Sequence, residues 1–392
     1  MKLKPCLLLL PTAILAACGG GNGGHDDSSL INVAVVATRA PDYSSGAVSL
    51  VDTTPPFAAS NNENPNRNTS DLAVRADGDH YFLLAKFGVN KISRYDAATP
   101  NTATYSYSTN DPGEENSNPY DLIVASPSKG YLLRYGSATI WIVNPSATSE
   151  AAFKTGEIDL SAYDADGIPE MSAGLIKDGK LYVALQRLQN FAATQSGYIA
   201  VIDTATNTEI DTGKGSNGLK GIELPVNDPV RLALVPNSDD LLVVADGGFD
   251  NFVQQYHGGI VRIDTGDEST HVLLDDGNDE THPYGAIMDM VVVSDDRAYF
   301  VGSTGYTATS NSLYRFNPGS DAAPVVVNGF ADKDLGALAV DPYGQLWIGR
   351  SSDAAPGLSV LGFDGSTETV NKALIDTVLT PLNIDFVSAA ND

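Results

Sequence analysis

A seven-bladed β-propeller, a closed ring of short antiparallel sheets, is the fold that this 392-residue sequence predicts. Three observations carry the prediction. One strand-and-turn unit recurs seven times, a hairpin recurs six times upstream of it, and the seventh hairpin is divided between the two chain ends.

The recurring unit is an apolar alternating strand that ends in Asp or Asn. It reads AVSLVDTT to Thr54, ISRYDAAT to Thr99, IWIVNPS to Ser146, YIAVIDTAT to Thr206, IVRIDTG to Gly266, LYRFNPG to Gly319 and LSVLGFDG to Gly365. Its anchors are Asp52, Asp96, Asn144, Asp203, Asp264, Asn317 and Asp364, at spacings of 44, 48, 59, 61, 53 and 47 residues. Such intervals suit four-stranded blades with loops of variable length. A short acid or amide belongs there because its side chain accepts the backbone N–H two residues on, which opens the turn.

The upstream hairpins run LAVRADGDHYFLLA from Leu72, LIVASPSKGYLL from Leu122, GLIKDGKLYVAL from Gly174, LALVPNSDDLLVVA from Leu232, MVVVSDDRAYFV from Met290 and LAVDPYGQLWIG from Leu338. Both arms alternate with period two around turns rich in Gly, Asp, Asn and Ser. The absent seventh copy is supplied by PLNIDFV, Pro381 to Val387, and INVAVVAT, Ile31 to Thr38. Pairing of the two ends in one blade closes the ring and removes an open sheet edge. The single domain is expected over residues 30–388.

The segments ahead of it read as an export signal over residues 1–17 and a Gly-rich polar tether over 18–29. Lys2 and Lys4 precede an apolar run, and Leu15-Ala16-Ala17-Cys18 follows. This run resembles a bacterial lipobox, which implies lipidation at Cys18 and a membrane-anchored envelope lipoprotein. Gly19 in the next position resembles outer-membrane sorting in Gram-negative bacteria. The copy SGYIAVIDTATNTEIDT, Ser196 to Thr212, resembles the YVTN-type repeat of bacterial seven-bladed propellers. That resemblance implies a cell-envelope binding or scaffold protein and carries no activity of its own.

Composition excludes several functions. The formal net charge of -26 opposes nucleic-acid binding driven by counterion release. The only cysteines are Cys6 and Cys18, so the body has no disulfide, thiolate metal site or cysteine nucleophile. GxSxG, HExxH and GxxxxGK[ST] are absent.

Candidate site residues come from aligning the ends of the second strands. Arg39, Lys86, Arg134, Arg187 and Arg350 put a cation there in five of seven blades, in a chain dominated by acids. The loops that follow add Tyr256, His257 and Tyr306 to the same face, a funnel suited to a small anionic or polar ligand or an envelope protein partner. Pairing of each cation with a loop carboxylate is the competing expectation. Asp246, Asp250 and Asn251 are the best candidates for calcium, because clustered loop oxygens suit a hard cation. No other cofactor is implied. Non-enzymatic binding or scaffolding is the favoured function. A metal-dependent propeller hydrolase, lactonase or phytase-like, and a structural envelope assembly protein are the alternatives.

Overall fold

The computed structural model describes residues 32–66, 69–305 and 310–387. Seven antiparallel sheets form the blades, six of four strands and one of five, and a two-stranded hairpin lies outside them. The innermost strands are Leu72–Asp77, Pro119–Ser126, Met171–Lys177, Pro229–Leu234, Ala286–Ser294, Leu335–Val340 and Thr380–Val387. Blades are numbered one to seven in that order. The repeated strand is the third of every blade, and the side-chain turn expected at its end forms at five of the seven anchors. Asp96, Asn144, Asp203, Asp264 and Asn317 each accept the N–H two residues on, at 2.8 to 3.0 Å.

Blade seven is built from both chain ends. Thr380–Val387 lies innermost and pairs antiparallel with Val33–Arg39, which pairs in turn with Gly46–Asp52. Ala34, Val35, Val36 and Ala37 are wholly buried, so this N-terminal strand is as deep in its blade as any second strand.

The core is a set of apolar layers between blades. Phe82 and Leu84 of blade one pack with Leu132, Trp141 and Phe153 of blade two, and Tyr299 and Val301 of blade five with Leu346 and Ile348 of blade six. Each layer joins neighbours, so a blade removed would expose two faces, at about 1.5–3 kcal/mol for every large apolar side chain returned to water. Deleting Pro381 to Asp392 therefore predicts loss of the single cooperative transition in a calorimetric melt. A truncated chain that melts within a few degrees of the parent would show that blade seven does not close the ring.

Candidate functional site

Every second strand ends at one face: at Arg39, Ala85, Arg134, Leu185, Ala245, Ser303 and Arg350. The innermost strands begin at that face, because each runs antiparallel to its second strand. Loops from all blades thus ring the mouth of the central channel. A cavity of about 640 Å³ opens there, lined by Arg39, Tyr43, Asp71, Lys86 and Tyr120 at the rim and by Arg75, Asp121, Arg231, Asn383 and Asp385 below. A second cavity of about 420 Å³ shares Arg39 and adds Tyr256, Met288, Asp334 and Asp353.

The channel wall is charged for a backbone reason. Carboxylates and an amide on one innermost strand accept N–H groups of the next. Asn383 takes Val74, Asp385 takes Ala76, and Asp289 takes Leu338, at 2.7 to 2.9 Å, while Asp121 takes Gly174 at 3.3 Å. Arg75 pairs with Asp121, and Arg231 lies 3.4 Å from Asp289. Burial pushes the Asp385 carboxyl above its ordinary range, against the pull of Arg75.

The five aligned cations have different surroundings. Arg39 stands 4.0 Å over the Tyr43 ring, and Lys86 stands 4.0 Å over Tyr120 while pairing with Asp71 at 3.1 Å. Both side chains line the cavity. Arg134 is fully buried under the loop that joins blades one and two, held by Glu114, by Asp111 at 3.3 Å, by the Thr109 carbonyl at 3.0 Å and over Trp141. Arg187 donates to the Tyr163 and Ser196 carbonyls at 2.6 and 2.9 Å. Arg350 reaches Ser359 at 3.5 Å, and its Nε is buried without a hydrogen-bond partner. Its charge and that of Arg39 both act on Asp334.

Tyr256 stacks flat on His282 with ring centroids 3.8 Å apart, and it lines the second cavity. His257 lines a third, beside Asp250. Tyr306 and Cys18 lie outside the described residues. Asp246, Asp250 and Asn251 are not brought together. Asp246 is buried and accepts Gly248 N–H at 2.9 Å, whereas Asp250 and Asn251 are exposed at a hairpin tip and bond to each other. The carboxyl that joins Asp246 is Asp228, and Gly248 leaves the room, since a Cβ there would lie 2.6 Å from Asp228 Oδ2. Among the described residues no group of three or more His, Cys, Asp or Glu is placed to hold a metal ion.

Of this buried carboxyl pair the sequence singles out Asp246 alone. Burial raises Asp228 and Asp246, and proximity raises Asp228 further. Burial lifts Glu170 to about 8 and Asp276 to about 7. Asp228 and Glu170 each precede an innermost strand by one residue, a position that Asp71, Asn118 and Asp334 hold in three other blades, and that recurrence is the signal that could have found them. Arg75, Asp121, Arg231, Asp289 and Asp385 each interrupt the apolar pattern of an innermost strand, a signal that could have marked the channel charges.

Fold and site together define the class, a closed seven-bladed propeller with a polar funnel. No family model matches the sequence, and no curated protein matches it either. Similar solved structures include a Bacteroides fragilis protein described as a candidate 6-phosphogluconolactonase, at 13% identity and TM-score 0.62, covering 93% of this chain and 100% of its own. The periplasmic gluconolactonase of Pseudomonas aeruginosa is 10% identical, with TM-score 0.60 and coverage of 92% and 100%. A Lactobacillus plantarum protein is 12% identical, with TM-score 0.60 and coverage of 91% and 99%. At these identities the likeness is one of fold.

The raised carboxyls set a pH dependence. Glu170 holds its proton in the fold to about pH 8 against an ordinary value of 4.5, so the unfolded chain binds fewer protons across that window. Its protonated form stabilises fully below 4.5, and that contribution is lost as pH rises through the folded value. The melting temperature should fall between about pH 5 and pH 8.5. Glu170→Gln, measured by thermal melts across that range, should flatten the fall.

Proposed function

We propose that the protein is a non-enzymatic binding propeller of the cell envelope, lipid-anchored at Cys18, whose funnel holds a small anionic ligand. The observation that carries this reading is the rim pair Arg39 and Lys86. Each is set over a tyrosine ring at the edge of a 640 Å³ cavity in a chain of net charge -26. Arg39 makes no ion pair among the described residues. An anion in the cavity would meet two cations whose side chains are already oriented, with ring faces beside them for stacking.

The LAAC run and the Gly-rich segment after it support the envelope address. The described chain enters Val33–Arg39 at the face opposite the funnel, so a tether there would leave the mouth unobstructed. Glu170, poised near neutrality two residues from the cavity-lining Ser172, favours a second reading, acid–base hydrolysis on a fold shared with lactonases. Turnover of a lactone panel that is abolished in Glu170→Gln would replace the binding reading with this one.

Two experiments test the proposal. Small molecules that co-purify with the native protein, identified by mass spectrometry, are titrated against variants by calorimetry. Arg39→Ala and Lys86→Ala should each weaken affinity by about tenfold with little change in melting temperature, since each removes a charge-assisted contact. Arg134→Ala should instead lower stability by about 1.5–3 kcal/mol and leave affinity unchanged, because it empties a fully buried position and removes the charge-assisted hydrogen bonds to Glu114 and Thr109. Unaltered affinity in both rim variants would remove the funnel as the site. Separately, Cys18→Ala should release the protein from washed membranes. Retention after high salt would overturn the anchor.

A further inference from the structure

Three phenylalanines among the described residues are exposed, Phe87 at 65%, Phe191 at 89% and Phe252 at 98%, and all three lie on loops that leave second strands at the funnel face. The remaining described phenylalanines are buried or half-buried. An apolar ring in water gains nothing for the fold, so three on one face call for a cause outside the chain.

Two of them share a construction. Gln189 and Ala192 exchange backbone hydrogen bonds at 2.9 and 3.1 Å around Asn190-Phe191, and Asp250 pairs with Val253 around Asn251-Phe252. Both central residues of each turn have positive φ: 53° and 68° in the first, 50° and 66° in the second. These are two-residue hairpin turns of the type that favours Asn followed by Gly. Phenylalanine in the glycine position is strained, and at 89% and 98% exposure it recovers almost nothing by packing. The tips are also fixed to one another. Ala193 N–H donates to the Phe249 carbonyl at 3.1 Å, and Asn227 Nδ2 donates to the Ala193 carbonyl at 2.9 Å. Two neighbouring blades thus hold two aromatic side chains outward from one rigid base.

The surroundings select the partner. Asp250 stands exposed beside Phe252, and Asp71, which accepts the Phe87 N–H at 3.4 Å, stays 45% exposed while paired with Lys86. A second copy would set one net charge of -26 against another, and an anionic bilayer would repel the same carboxylates. A neutral bilayer would require them to enter the headgroup layer with the rings. Apolar tips interleaved with acids complement a protein surface that has apolar pockets bordered by Lys and Arg.

We infer that the hairpin tips bearing Phe191 and Phe252, with Phe87, form a docking crown for a basic protein partner that seats over the funnel rim. The crown rests on the reading of this face as the working face, but its rings line none of the described cavities, so the two can fail separately.

The test places p-benzoylphenylalanine at Phe191, at Phe252 and, as a control on the opposite face, at Tyr343, in the full chain expressed in its native host. Irradiation should give one discrete protein adduct from both tips and none from Tyr343. The cross-linked protein, identified by mass spectrometry and purified, should bind the parent chain with an affinity that falls with added salt. The Phe191→Ser/Phe252→Ser double variant should weaken binding at least about tenfold, and Asp250→Lys should weaken it too. Ligand affinity in the cavity should be unchanged in both, which separates this result from the rim-cation test. Absence of adducts at the tips, an adduct of twice the chain's own mass, adducts with lipid alone, or partner binding indifferent to these variants would each overturn the inference.

Discussion

The innermost strands have only one hydrogen-bonded neighbour each, and the ring stands because their free edges are answered from the side. Strands that converge on an axis cannot pair with the next blade, yet their N–H groups lie where water is scarce. Asn383, Asp385, Asp121 and Asp289 solve this by reaching across the gap to Val74, Ala76, Gly174 and Leu338. The stitch joins blades seven to one, two to three and five to six. Ser172 joins blade three to four through the Pro229 carbonyl at 2.6 Å.

That solution shapes the funnel. Carboxylates used for stitching are charges in a narrow channel, and they need cations nearby. Arg75 and Arg231 supply them, with Arg231 also reaching the Leu338 carbonyl at 3.4 Å. The channel below is therefore a belt of three carboxylates and two arginines, while the rim cations Arg39 and Lys86 lean on tyrosines. Arg134 belongs to a different economy of charge. With Asp111, Glu114 and Lys154 it pins an inter-blade loop, and it gives up full solvation to do so. Cations at or just past five strand ends have thus been put to unlike uses, since each depends on the loop that folds over it.

Seven blades, their order and the division of the last are legible in the sequence. Alternation marks strands, Asp or Asn marks the turn at the end of the third strand, and both are local features of the chain. The hairpin at Phe252 was visible as a loop, but its pairing with the tip at Phe191 was not. Those residues are 61 positions apart, and the link runs through the backbone of Ala193 and Phe249.

What the sequence determined alone was periodic: strand, turn, blade count and the face to which each loop returns. Tertiary structure alone decided which charges meet. Asp246 stands against Asp228 rather than Asp250, Arg134 sinks beneath Glu114 while Arg39 remains at the mouth, and Glu170 is buried enough to hold its proton near neutrality. Hydrogen bonds within a turn span two residues and can be read along the chain. Burial and electrostatic pairing act through space between blades, over separations that no local pattern encodes.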